Sequence, residues 1–284
     1  MMPVIFIHYG YNDYFEYACD IALKKNKVIH IGDKQLNILN SNYNFININE
    51  YEFFCDEFLK YYKHYHKGPV GFEQNCFLRW IVLNNYVQKN KIHTFFYADS
   101  DVAVVCDVNE EYLNLNSPKI SYVIPHESVQ YEYRWSACGL SSYWQFTELD
   151  KLVKFMHNCY IDDMYHQKLK DKWNWHINKN IGGGICDMTI FYFYMLCHEV
   201  QPINKICNFK VFDHNINVSE NYYNNEFKMK ENKKYLEYDG NNFYSITNNN
   251  EKIKMNSIHC QGYTKDFMKT IKNIYSDNIE FNNI

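Results

Sequence analysis

The sequence is short of several things that would have announced a function. Its ten cysteines include no C-x-x-C pair, which excludes the usual structural zinc knuckle and leaves them as reduced core thiols. No basic stripe breaks a balance of 29 Lys and Arg against 33 Asp and Glu, net charge -4. Binding to a phosphate backbone needs clustered cations, so nucleic acid is excluded as a partner. The longest strongly apolar stretch, Ile190 to Cys197, is far too short to span a bilayer. Met1-Met2-Pro3 leads straight into Val4-Ile5-Phe6-Ile7 without a basic leader or cleavage site. A cytoplasmic chain with no transmembrane segment is therefore expected. No Gly-rich phosphate loop opens the chain, which weighs against P-loop chemistry. There is no internal repeat and no linker, so one domain over 1–284 is expected.

Apolar residues are plentiful, at 46%, and aromatic ones reach 18%, enough to bury a full-sized core. The first half alternates strand-length apolar runs with helix-length amphipathic ones. Val4 to His8 reads as a buried strand closed by Gly10, and Asp13 to Lys25 as a helix carrying Phe15, Cys19, Ala22 and Leu23. Further strands are expected at Val28 to Ile31, Phe45 to Ile48 and His93 to Tyr97, with helices from about Glu52 to Tyr65 and from Phe72 to Val87. Such alternation predicts an α/β fold with a mostly parallel sheet flanked by helices. The second half reads as a strand at Ile120 to Ile124 and helices near Leu149 to His157, Asp187 to His198 and Asp266 to Ile274. A polar stretch over 213–256 contains a hairpin around Asp239-Gly240-Asn241-Asn242. Residues 1–110 carry the regular alternation, and residues 111–284 form an elaborated second half.

Ligands in parallel sheets bind beyond the carboxyl ends of the strands. There the sequence places His8-Tyr9-Gly10, Gly32-Asp33 and Asp99-Ser100-Asp101. Two carboxylates one residue apart, directly after a buried strand, suit Mg2+ or Mn2+ with positions left open for phosphate oxygens. A solvated turn is the plainer alternative, and an acid-phosphatase-like signature fails because its fifth position is Ala103. The second signal is His259-Cys260-Gln261-Gly262-Tyr263-Thr264-Lys265. In this H-x-x-G-x-x-K the imidazole is a potential metal ligand. Gly262 permits close backbone approach, and Lys265 supplies a point charge for phosphate.

With both motifs in order, the sequence resembles a GT-A fold glycosyltransferase. Its motifs are nearest to the glycogenin-like and lipopolysaccharide galactosyltransferase-like (family 8-type) retaining enzymes. The resemblance covers residues 4 to about 110 and, locally, 257–265; Asp266-Phe267 stands where Pro-Trp is usual. It implies a Rossmann-like GT-A sheet, Mn2+ or Mg2+, a nucleotide-sugar donor of the UDP class, and a glycan, lipid or protein acceptor, with 1–110 as the nucleotide-binding half and 111–284 as the half for donor sugar and acceptor. By the same resemblance Asp99, Asp101 and His259 hold the metal, with Asp99 also near the ribose. Lys265 contacts the diphosphate, Arg79 approaches diphosphate or sugar, and Tyr14 stacks on the base. His8, Tyr9 and Gly10 shape the nucleoside pocket, and retention of configuration is favoured.

Asp187 reads either as a residue facing the donor sugar or as a helix cap. Ser136-Ala137-Cys138-Gly139 is a candidate sugar wall. Asp187 or Asp163 would be the base of an inverting enzyme. His64 and His66 read as surface histidines. Arg79 in a surface salt bridge and His8 as a satisfied core imidazole are the plainer readings of those two. A catalytically inert nucleotide-sugar or carbohydrate binder, or a nucleotide-sugar hydrolase, is the rival function.

Overall fold

The computed structural model describes residues 1–126, 133–277 and 281–282. Strand β1 (Pro3–His8) is buried along its whole length. Helix α1 (Asp13–Leu23) packs against it through Phe15, Ala18, Cys19 and Ala22. Strands β2 (Lys27–Gly32) and β3 (Tyr43–Asn47) follow in parallel register. The continuous helix expected over 52–65 does not form. A 3-10 turn, Glu52–Cys55, runs into the single turn of α2 (Asp56–Leu59). Phe53 and Phe54 stay exposed, so no apolar stripe sustains a longer helix. The backbone at Tyr65 is instead taken by the N–H of Ile185 at 2.7 Å. Helix α3 (Val70–Lys89) then leads to β4 (Thr94–Ala98), parallel to β1.

Beyond the Asp99–Asp101 loop come β5 (Val102–Val104), α4 (Val108–Asn114), β6 (Ile120–Val123) and β7 (Cys138–Gln145). Helices α5 (Phe146–Ile161), α6 (Asp163–Asn178) and α7 (Asp187–Met195) precede the short strand β8 (Gln201–Pro202). The larger sheet has the order β3-β2-β1-β4-β7-β6-β8, with β7 antiparallel to both neighbours. Alternation along β1 feeds two cores: Val4 and Phe6 face one helical layer, Ile5 and Ile7 the other. The strand order reverses between β1 and β4, which makes their carboxyl ends the switch point of the sheet.

The polar stretch over 213–256 is built into a second sheet. After β9 (Lys210–Phe212) come β10 (Met229–Lys230) and β11 (Lys233–Lys234), which pair with each other as a separate ribbon, and then β12 (Leu236–Tyr238), β13 (Phe243–Ile246) and β14 (Lys252–His259). Helix α8 (Phe267–Asp277) and β15 (Phe281–Asn282) complete it. Its order is β15-β12-β13-β14-β5, with β9 running parallel to β14. Phe227, Leu236, Phe243, Ile253 and Met255 are buried beneath its polar surface. The expected hairpin is present, with Leu236 opposite Ser245. Strand β5 pairs antiparallel with β14, setting Val102 opposite His259.

Candidate functional site

A cleft of about 350 Å3 opens at the carboxyl ends of β1 and β4. The end of β1 contributes His8, the turn after it Tyr9 and Asn12, and the start of α1 Tyr14; the loop after β4 contributes Asp99, Ser100 and Asp101. Burial, helped by the charge of Lys265, lowers the pKa of His8 to about 4, so it enters the cleft as a neutral imidazole. Its Nε2 lies 3.1 Å from Asn12 Nδ2. Gly10 has φ +79°, a left-handed turn natural to glycine, and its N–H donates to Asp33 Oδ1 at 2.6 Å. Gly10 thus shapes the turn after β1 while its neighbours line the wall.

Helix α3 supplies Phe72, Asn75, Cys76 and Arg79 at i, i+3, i+4 and i+7, one helical stripe turned to the cleft. The Arg79 guanidinium is divided among fixed acceptors. Nη1 donates to Asp99 Oδ1 at 2.6 Å, Nη2 to Asp187 Oδ2 at 2.7 Å, and Nε to the Cys76 carbonyl at 3.2 Å. Tyr97 adds its hydroxyl to Asp99 Oδ1 at 2.8 Å. Burial pushes the Asp99 carboxyl above its ordinary value, and Arg79 only partly offsets this. Asp187 is itself buried; Trp80 Nε1 donates to its Oδ2 at 2.8 Å, and the Met188 N–H to its Oδ1 at 2.9 Å. The cap position belongs to Cys186, so Asp187 is the first helical residue and a partner of Arg79.

Asp101 looks the other way. Its Oδ1 is 3.5 Å from His259 Nε2 and its Oδ2 is 3.5 Å from Lys265 Nζ. Burial would raise its pKa, but His259 and Lys265 outweigh burial and hold it below the ordinary range. For His259 the balance is similar: burial disfavours the cation, and the Asp101 carboxylate, the His214 carbonyl and Asp213 together more than restore it. His259 Nδ1 is 2.6 Å from the His214 carbonyl. A proton on Nδ1 leaves the Nε2 lone pair facing Asp101. Gly262 has φ +64° and open space where a side chain would point, so it serves the turn and crowds nothing among the described residues. The 3-10 segment Gly262–Asp266 brings Lys265 back over the Tyr14 ring, 4.6 Å from its centroid.

Among the described residues no three His, Cys, Asp or Glu side chains form a ready metal cage. Asp101 and His259 are nonetheless a carboxylate and a lone-pair imidazole at one point. Mg2+ and Mn2+ are commonly held by one or two protein groups plus substrate phosphates. The donor set therefore fits a divalent ion that a diphosphate would complete. Asp99, the third expected ligand, has Oδ1 committed to Arg79 and Tyr97.

Other expected residues fall elsewhere. Cys138 and Gly139 belong to β7, where a Cβ at Gly139 would meet the Trp80 ring at 2.4 Å. Ser136 and Ala137 are tied to Met188. Asp163 is exposed in the first turn of α6. His64 and His66 lie on an irregular segment and are half-buried, with His66 Nδ1 3.0 Å from Glu73 Oε1. Asn12, Phe72, Asn75 and Cys76 were not anticipated in the cleft. Counting back from Arg79 at helical spacing would have found the last three.

No family model and no curated protein matches the sequence. Solved structures do match the fold. The crystal structure of mouse xyloside xylosyltransferase 1, apo form, aligns with a TM-score of 0.50 at 10% identity, over 74% of this chain and 87% of that one. The fold is that of the GT-A glycosyltransferases. GlyE, a glycosyltransferase of Streptococcus pneumoniae TIGR4, aligns with a TM-score of 0.36 at 13% identity, over 71% of this chain and 44% of that one. The likeness supplies the GT-A frame; the chemistry must come from the side chains within it. Among the described residues no helix is long and apolar enough to cross a membrane.

Proposed function

We propose that the chain is a glycosyltransferase dependent on Mn2+ or Mg2+, which moves a sugar from a UDP-class nucleotide donor to a glycan, lipid or protein acceptor. The observation that carries this reading is the convergence of Asp101, His259 and Lys265 beside the Tyr14 ring, at the switch point between β1 and β4.

In this reading Tyr14 and His8 border the nucleoside, and the Lys265 ammonium lies against the diphosphate. Breaking the glycosidic bond builds negative charge on the departing diphosphate. Preorganised cations stabilise that charge most when they need not reorganise. Arg79 meets this condition because Asp99 and Asp187 hold it from two sides. A bound divalent ion, seated by Asp101 and His259, would add Lewis-acid stabilisation of the same charge. Asp187 acts through Arg79. Both its oxygens already accept hydrogen bonds, which disfavours it as the base of an inverting reaction and supports retention.

The test is a thermal-shift titration with UDP, GDP, CDP and ADP, each with Mn2+ and with EDTA. Stabilisation by UDP only when Mn2+ is present is expected, about 2.7 kcal/mol at a hundredfold excess over the dissociation constant. No shift with any nucleotide would remove the donor site. Binding without transfer to any acceptor would leave a binding protein.

A further inference from the structure

Beneath His259 lies an ion pair that a stable core does not require. Asp213 and Lys234 are both fully buried, and Lys234 Nζ donates to Asp213 Oδ1 at 2.5 Å. The desolvation cost of such a pair rivals its Coulombic gain, so an apolar pair of similar volume would serve packing as well. What the charges add is directional. Asp213 Oδ2 accepts the backbone N–H of His259 at 3.0 Å, a charge-assisted bond. The next residue, His214, turns its carbonyl to His259 Nδ1 at 2.6 Å. Two residues on, the Ile216 N–H donates to the His259 carbonyl at 3.1 Å. Lys234 fixes this short segment in turn. Its N–H donates to the Ile216 carbonyl at 2.7 Å, and its ammonium donates to Asn221 Oδ1 at 3.0 Å. Asn221 is anchored through Nδ2 to the carbonyls of Asn204 and Phe212.

Backbone N–H, backbone carbonyl and ring of one histidine are thus all gripped by residues 213–216, and the buried pair locks that grip. We infer that Asp213 and Lys234 are positioning residues that fix the ring of His259 with its proton on Nδ1, so that Nε2 is presented to the cleft beside Asp101. The inference rests on the reading of His259 as a ligand of that cleft. Outer partners that orient a ligating imidazole typically carry 10–100-fold in metal affinity.

Two double variants and one spectrum test it. Asp213→Leu with Lys234→Met removes both charges and the acceptor for the His259 N–H. Asp213→Asn with Lys234→Met removes the charges but keeps an amide oxygen there. Free Mn2+ is counted by electron paramagnetic resonance, with and without UDP, and the His259 ring nitrogens are read by 15N NMR at a pH where the ring is neutral. The Leu/Met protein is expected to melt cooperatively, to lose about 10–100-fold in Mn2+ affinity and to show a mixture of ring tautomers. The Asn/Met protein is expected to recover most of both. An Nδ1–H signature and wild-type Mn2+ affinity in the Leu/Met protein would reduce the pair to packing. Should that protein fail to fold, the wild-type spectrum still decides, because an Nε2–H ring overturns the inference alone. The underlying reading fails separately, if Mn2+ leaves the wild-type His259 signals unbroadened while the tautomer remains Nδ1–H.

Discussion

Asp99 looks back into the larger sheet, while Asp101, one residue on, looks across to the smaller one. Asp99 Oδ1 is held firmly: Tyr97 and Arg79 both donate to it, and Asp187, itself held by Trp80, grips Arg79 from behind. Around Asp101 the partners are 3.5 Å away, and one is a lysine whose side chain is 36% exposed. Burial dominates at Asp99 and lifts its pKa; at Asp101 the neighbouring cations win and lower it. Asp99 is thus tied to the frame through Oδ1, whereas both oxygens of Asp101 face looser partners. A paired-carboxylate motif need not have two equivalent members.

The largest expected effect comes from breaking the looser side. Asp101→Ala should abolish Mn2+-dependent stabilisation by UDP while the melt stays cooperative. Wild-type UDP affinity with Mn2+ present would move the ion elsewhere. Breaking the fixed side should show first in stability. Asp187→Ala leaves Arg79 Nη2 and the Trp80 N–H without an acceptor, at a cost of about 1–3 kcal/mol for each orphaned donor in urea unfolding. A cost under about 0.5 kcal/mol, the range of surface substitutions, would show that the network is not structural.

Lys265→Ala separates the two sides more finely. Turnover should fall about 100-fold, as when one preorganised charge-stabilising group is removed. The denaturant midpoint should barely move, and equal losses in both would make Lys265 a structural residue. The mildest perturbation changes no residue. Burial lowers the His259 pKa, but Asp101, the His214 carbonyl and Asp213 together raise it above its ordinary value in the metal-free protein. Mn2+ must displace that proton, and its affinity should fall by up to about tenfold per pH unit as pH drops through that range. An affinity independent of pH between 8 and 6 would free His259 of any ligating role.

The fixed side was the more legible in the sequence. Strand β1 and its turn at Gly10, helix α3 and strand β4 all follow from short-range apolar periodicity, which survives without tertiary context. The His259 and Lys265 motif was visible as spacing, although its meeting with Asp101 was not. Strand β7 (Cys138–Gln145) went unread because Gly139, Ser141 and Ser142 are buried in it, and no polar alternation marks a strand covered on both faces. Helix α6 was hidden by Lys, His and Trp residues on a weakly apolar face. Over 52–65 apolar residues were present, but the chain beyond Tyr61 is drawn out of helix towards Gly184 and Ile185, distant partners that no local pattern reports. The grip of Asp213 and His214 on His259 was illegible for the same reason.

The pairing of Val102 with His259 has a kinetic consequence. It joins strands more than half the chain apart, and closing so long a loop costs entropy before any contact rewards it. Pairings between segments so far apart in sequence slow folding. Asp101 and His259 meet only where β5 and β14 are paired, so a chain lacking that pairing lacks this side of the cleft. In reverse, a bound nucleotide should slow amide exchange along β14 more than along β2, acting as a latch on the carboxyl-terminal strands.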